Sequence, residues 1–109
     1  MIELTPQAVT LTGVAPVLTA AAGAGNRFTN SGTEFLLVRN AHTVPITVTI
    51  NSIAPCNQGF DHDVVVSVPN GTDRFIGPFP KARFDDTIGQ VQIIYSVVTA
   101  LTVAVIRVA

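Results

Sequence analysis

The feature that most constrains the fold of this chain is its content of β-branched residues. Valine, isoleucine and threonine account for 38 of its 109 residues. Branching at Cβ restricts a side chain in a helix and suits the pleated surface of a strand. No heptad and no apolar stripe of helical spacing runs through the sequence. We therefore expect an all-β fold with little helix.

The apolar segments are short and are separated by turn-forming residues. The clearest strand is residues 46–51, where apolar and polar residues alternate. Further strands are predicted at residues 35–39, 91–96 and 101–108. Short strands at this spacing favour a single small β-sandwich, of the jelly-roll or immunoglobulin-like kind.

One β-hairpin is predicted from turn chemistry. The turn-forming sequence Pro69-Asn70-Gly71-Thr72 separates two strand-like segments, residues 63–68 and 73–76. An Asn-Gly pair readily adopts the positive φ angles of a type I′ turn, which joins paired antiparallel strands. We therefore expect the two segments to pair with each other.

Charged residues are few and unevenly placed. They make up 12% of the chain, against about 25% in an average soluble domain. Three blocks without Asp, Glu, Lys or Arg, residues 4–26, 40–60 and 87–106, together contain 64 residues.

Several predicted strands are also apolar on both faces, at residues 35–38, 64–66, 93–95 and 103–106. A sandwich this small cannot cover both faces of most of its strands. We therefore predict a homo-oligomer, with a trimer favoured. The alternative is a monomer in which these are central strands and Thr, Asn and Ser keep the surface soluble.

The first 26 residues differ from the rest of the chain. They are nearly free of charge and include an Ala/Gly-rich stretch at residues 20–25. We interpret residues 1–26 as an extended N-terminal arm with one strand around residues 9–11, and residues 27–109 as the sandwich domain. Each apolar side chain of the arm would contribute about 1.5–3 kcal/mol if a partner buried it. The candidate assembly contacts are Ile2, Leu4, Val9, Leu11, Val14, Val17 and Leu18.

Enzymatic activity is not expected. Cys56, Asp61, His62 and Asp63 lie close together in the sequence, but no signature of a thiol enzyme surrounds the cysteine. A metal site built from residues 61–63, with Asp85 or Asp86, is chemically possible. The alternative is a polar cluster where a loop meets a strand. We assign no catalytic, cofactor or metal site and leave open whether residues 61–63 bind a metal.

Charge and hydropathy also bear on partners and location. The formal net charge is −1, so there is no basic field for nucleic acid. A secretory signal begins with basic residues, and here no basic residue precedes Arg27. The longest apolar stretch, residues 88–106, is interrupted by polar residues, which argues against a membrane span. A single cysteine excludes an internal disulfide. We expect a protein made in the cytoplasm that binds neither nucleic acid nor membrane.

Several sequence signatures together resemble one group of proteins. They are residues 25–32, 44–50 and 56–66, followed by Pro69-Asn70-Gly71, Ile76-Gly77-Pro78-Phe79 and Arg83-Phe84-Asp85-Asp86. This pattern, over residues 25–108, resembles small β-rich virion structural proteins of tailed bacteriophages. The matched positions are turn and strand signatures, so no functional residue is carried over.

The resemblance implies a capsid decoration or cement protein. Such a protein would be an oligomer on the outside of the phage head, bound to the major capsid protein. Two alternatives stay open: a head-to-tail adaptor or tail tube/terminator subunit, and a non-catalytic ligand-binding or adhesion module. In the last case function would lie in loops such as residues 40–43 or 55–61.

Overall fold

The computed structural model describes residues 1–53 and 63–108. Within them the chain is nearly all β, and two sheets pack together as a small sandwich, which confirms the predicted fold class. The one helix among these residues, α1 (Lys81–Phe84), is a single turn. The strands are β1 (Ile2–Glu3), β2 (Gln7–Ala8), β3 (Thr19–Ala20), β4 (Asn26–Thr29), β5 (Glu34–Asn40), β6 (Ile46–Ile50), β7 (Val64–Val68), β8 (Thr72–Ile76), β9 (Gln90–Tyr95) and β10 (Leu101–Arg107).

The chain crosses repeatedly between the two sheets. The first sheet has the order β1-β4-β9-β6-β7, and the second has the order β2-β10-β5-β8, with β3 also paired to β10. The β1–β4 and β2–β10 pairs are parallel, and the other pairs are antiparallel. Neighbours in a sheet are therefore mostly distant in sequence, and few pairings can be read from local pattern.

Alternation along the strands decides which side chains form the core. In β6, Ile46, Val48 and Ile50 are completely buried while Thr47 and Thr49 are half-buried, as the sequence predicts. Large side chains of this kind contribute about 1.5–3 kcal/mol each when fully buried. The other fully buried apolar side chains of the strands are Phe28, Leu36, Val38, Val68, Val91, Ile93, Leu101, Val103 and Val105.

Most predicted strands are confirmed. The strands expected at residues 35–39, 91–96 and 101–108 are β5, β9 and β10, displaced by at most one residue at either end. The sequence does not predict β4, because Phe28 is its single apolar residue. That phenylalanine is nevertheless fully buried and packs against Phe79, with ring centroids 5.6 Å apart.

The predicted hairpin over residues 63–76 is wrong. The two strands exist, but β7 pairs with β6 in the first sheet and β8 pairs with β5 in the second. Gly71 has φ +72°, whereas Asn70 is not among the described residues with positive φ, and Thr72 N–H donates to Pro69 O at 3.3 Å. This is the pattern of a type II turn, which splays the flanking strands. The turn carries the chain from one sheet to the other.

The first 26 residues lie along the edges of the sandwich. Their strands β1, β2 and β3 are two residues each and pair with β4 or β10. The strand expected around residues 9–11 is wrong in position, because the available edge of β10 ends where Val9 N–H donates to Arg107 O. Beyond that point Gly13 N–H donates to Thr10 O and closes a turn.

Candidate functional site

The outer face of the second sheet carries an unusual row of apolar side chains. Leu37 of β5 lies between Phe75 of β8 and Ala104 of β10. In the next row, Phe35 lies opposite Ile106. Phe75 is 68% exposed, although most solvent-facing sheet surfaces are polar. We call this face, with the loop at residues 9–18 that lies beside it, the apolar face.

A groove runs between the sheet and this loop. Val9, Val14 and Pro16 line it from the loop, and Phe35, Phe75 and Ile106 are among the residues that line it from the sheet. Its volume is about 470 Å³. The groove is partly open to solvent, so a protruding apolar side chain of a partner has the space to enter it.

One glutamine holds the loop in position. The Gln7 side chain donates from Nε2 to Val17 O at 2.9 Å, and its Oε1 accepts from Val17 N–H at 2.8 Å. This paired contact imitates the hydrogen bonds of a neighbouring strand. It joins the two ends of the loop, residue 7 and residue 17, and so fixes where the loop begins and ends beside the sheet.

The candidate contacts from the arm fall into two groups. Leu4 is buried in the main core, and Leu18 packs against a smaller cluster formed by Leu37, Ala104 and Ile106. These two side chains hold the arm on its own sandwich. The remaining candidates are exposed: Ile2, Val9, Leu11, Val14 and Val17.

The chain covers part of its own two-sided strands. Leu37, Ala104 and Ile106 point away from the main core but are buried, with Leu18 and Phe35 packed against them. The N-terminal arm therefore does some of the covering that the sequence assigned to another chain. The large apolar side chains left exposed on the described strands are Ile2, Val65, Phe75 and Ile94.

The sequence marked the strand at residues 35–38 as apolar on both faces, but it named neither Phe35 nor Phe75 as a contact residue. A phenylalanine in an apolar segment is most often a core residue. Whether it points into the core or to the outer face depends on the register of its strand. The signal that could have found Phe35 is its position next to Leu36, since neighbouring residues of a strand point to opposite faces.

The charged residues at the border of the apolar face neutralise each other. Arg39 and Asp73 are opposite each other across β5 and β8, with Arg39 Nε 3.1 Å from Asp73 Oδ1. Hydrogen bonding to Asp73, with its negative charge, raises the pKa of Arg39. Both side chains are half-exposed, so the pair stabilises the fold little. The pair itself adds no net charge to this border of the apolar face.

A polar network at one end of the sandwich holds the loops there. The buried Glu34 carboxylate accepts hydrogen bonds from Ser31 N–H at 2.7 Å, from Ser31 Oγ and from Thr33 N–H. Burial alone would raise the pKa of Glu34, but these donors outweigh it and hold the pKa below its ordinary value. Both donor residues, Ser31 and Thr33, belong to the loop that leads into Glu34, which indicates a structural role.

A second cluster of polar side chains lies beside β9 of the first sheet and includes Asp86, Gln90 and Glu3. Burial acts to raise the pKa of Asp86, but donors from Gln90, Gln92 and Ile88 lower it overall. Gln90 also donates to the Glu3 carboxylate, while its own Oε1 and the nearby Arg27 Nε are buried without a hydrogen-bond partner. These contacts join the N-terminal strand to β9 and present no arrangement of a nucleophile with a base.

The polar residues weighed for catalysis or metal binding are only partly within the described structure. Cys56, Asp61 and His62 lie outside the described residues. Asp63 is exposed, and its carboxylate accepts a hydrogen bond from Ser52 N–H at 2.8 Å. Among residues 1–53 and 63–108, no three His, Cys, Asp or Glu side chains are grouped as metal ligands would be. In the same residues, no helix has the length and hydropathy to cross a membrane.

The apolar face is therefore the feature of the described structure most suited to recognition. It combines an exposed phenylalanine, a groove and a border where Arg39 and Asp73 neutralise each other. Comparison of the chain with protein-family models, curated proteins and solved structures found no match.

Proposed function

We propose that this chain is a non-enzymatic structural protein of a tailed-bacteriophage virion, which decorates the outside of the head and stabilises it. Its partner is the major capsid protein, and its working location is the capsid surface. The proposal joins the sequence resemblance to one structural observation, the apolar face.

The apolar face supports binding to a protein surface. An exposed aromatic side chain beside a groove, as Phe75 is here, is typical of the centre of an interface, where desolvation contributes most of the binding energy. The Arg39–Asp73 border adds no net charge, so the attachment does not depend on a strongly charged partner. We expect attachment to be weakened little by salt, unlike an electrostatic contact.

The test compares two matched substitutions on particles that lack the protein. Phe75→Glu places a charge on the apolar face, and Ile88→Glu places the same charge on a loop elsewhere. The two side chains are similarly exposed, at 68% and 65%, so neither variant should unfold the sandwich. We expect Phe75→Glu to reduce co-sedimentation with particles by tenfold or more, since a buried unpaired charge costs several kcal/mol. Equal binding of both variants would overturn the proposed face.

Copy number separates this function from a ring position in the neck or tail. A decoration protein is present in copies on the order of hundreds per particle, whereas a closed ring contains on the order of six or twelve subunits. Particles reconstituted with the protein should also release their DNA at a higher temperature than bare particles. A count near six or twelve, or unchanged heat resistance, would contradict decoration.

A further inference from the structure

The strand β7 forms an open edge of the first sheet. Among the described residues it pairs with β6 on one side and with no strand on the other. Its sequence, Val-Val-Val-Ser-Val, has no charge and no proline. Natural proteins usually protect such an edge with charged residues, proline or a covering segment. Among the described residues β7 has none of these protections, and an apolar edge of this kind is a template for another strand.

The hydrogen bonds of β6 identify the free groups on this edge. Thr47 uses both backbone groups toward β9: its N–H donates to Ser96 Oγ, and its O accepts from Ser96 N–H, both at 2.9 Å. In an antiparallel pair, residues alternate between the two sides. Thr47 is opposite Ser67, so the backbone groups of Ser67, and likewise of Val65, face away from β6.

These free groups favour a second copy of the same strand. In an antiparallel pair centred on Val66, Val65 of each copy faces Ser67 of the other, and all four free N–H and C=O groups of each edge are matched. In the same register Val64 of each copy is opposite Val68 of the other. The side chains of Val64, Val66 and Val68 lie on one face of the strand, so each meets a side chain on the same face of the second copy. The segment reads nearly the same in both directions, so the two-fold pairing brings together compatible side chains.

The described edge strands are β7, β8 and the two-residue strands β1, β2 and β3, and of these only β7 and β8 are long enough for self-pairing. β8 is much less suited to it. β8 contains Asp73 and Arg74 in its centre. A two-fold axis through either residue would place like charges directly opposite each other, which is destabilising. β7 has no such charge, and Val65 is 63% exposed beside the free backbone groups. Charge therefore distinguishes the two edges in favour of β7.

We propose that two copies of this chain associate through β7, antiparallel and centred on Val66, to form one continuous sheet of ten strands from the two first sheets. A two-fold axis of this kind is perpendicular to the sheet. In each copy the apolar face lies on the second sheet, on the side of the sandwich away from the joined first sheets. Both apolar faces therefore point in the same direction. This dimer is a homo-oligomer, as the sequence predicts, but it takes the place of the trimer that the sequence favoured, because pairing of one edge strand with its own copy closes at two chains. It does not require the capsid proposal, because association in solution needs no particle.

Disulfide trapping tests the register. In the full chain carrying Cys56→Ser, single cysteines are placed at residues 65, 66 and 67 and mildly oxidised. Val66→Cys should form a covalent dimer, because directly opposed non-hydrogen-bonded residues have Cα atoms about 4.5 Å apart. Val65→Cys and Ser67→Cys alone should remain uncrosslinked, because each lies diagonally from its symmetry mate at about 7–8 Å. Mixing these two variants should restore the cross-link.

Light scattering tests the association without cross-linking. The unmodified chain should have about twice the mass of one chain. Val65→Lys with Ser67→Lys places like charges opposite each other and should raise the dimer dissociation constant tenfold or more, whereas Ile94→Lys, on the same face two strands away, should not. A monomer or a trimer, or cross-linking that is equal at residues 65, 66 and 67, would overturn the proposal. Binding of a different protein along β7 in place of a second copy would do the same.

Discussion

At the scale of single residues, two glycines have nearly the same backbone conformation in different surroundings. Gly13 has φ +94° and nothing within 4 Å of where a Cβ would be, whereas Gly25 has φ +96° and would place its Cβ 2.5 Å from Ile93 O. Gly13→Ala should cost about 1–2 kcal/mol of unfolding free energy, from backbone strain alone. Gly25→Ala should cost about 1–3 kcal/mol more, because the chain must also move. Denaturant unfolding of both variants measures the difference, and equal losses would contradict it.

The buried Glu34 carboxylate makes stability depend on pH. Its pKa is lowered in the folded state, so its contribution is fully present above the unfolded pKa, about 4.3, and is lost as pH falls through the folded value. Glu34→Gln should therefore destabilise the protein by about 1.5–3 kcal/mol at pH 7, and by less near pH 3. Urea unfolding of both proteins across this range is the measurement. A difference that is independent of pH would contradict the assignment.

At the scale of elements, one side chain connects the N-terminal arm to the first sheet. Asn26 is buried; its Nδ2 donates to Ile2 O, and its Oδ1 accepts from Ala22 N–H and from Tyr95 Oη. Asn26→Ala leaves these groups unpaired, at about 1–3 kcal/mol for each one that stays buried. We expect faster hydrogen exchange at residues 2–4 and 21–22 and a lower Tm.

Asn51→Ala is the control, because its amide makes a single long side-chain contact, 3.4 Å from Gln92 Oε1. Exchange that rises equally in both variants would show that Asn26 does not hold the arm.

The same contacts predict that deleting residues 1–26 destabilises the sandwich, since Leu4 and Ala21 are part of its core.

The elements also show how far sequence reasoning extends. The strand β6 was predictable because its alternation is local and one face is buried. The relation of β7 to β8 was not, because a paired hairpin and a turn between sheets share the same apolar pattern. The outcome depends on Gly71, whose N–H donates to Asn40 O and draws the turn to the end of β5. Such a contact joins residues far apart in sequence.

The candidate site was predictable in the same partial way. Low charge and two-sided strands indicated a surface to be covered, and the exposed Val9 and Val14 of the arm line its groove. The chain's own covering of Ala104 by Leu18 could not be foreseen. It depends on where the arm pairs with β10, and two-residue strands have almost no sequence signature.

At the scale of the whole molecule, the two proposals together imply bivalent attachment. A two-fold pair joined through β7 presents two apolar faces to one capsid surface, and a second contact on the same surface strengthens binding by about 10²–10⁴ without new chemistry. Val65→Lys with Ser67→Lys should leave each apolar face intact and lose only this gain, whereas Phe75→Glu should weaken the single-site contact itself. Binding isotherms on particles at low protein concentration separate the two effects. If the edge variant binds as tightly as the unmodified chain, attachment is through single protomers and the dimer has no part in it.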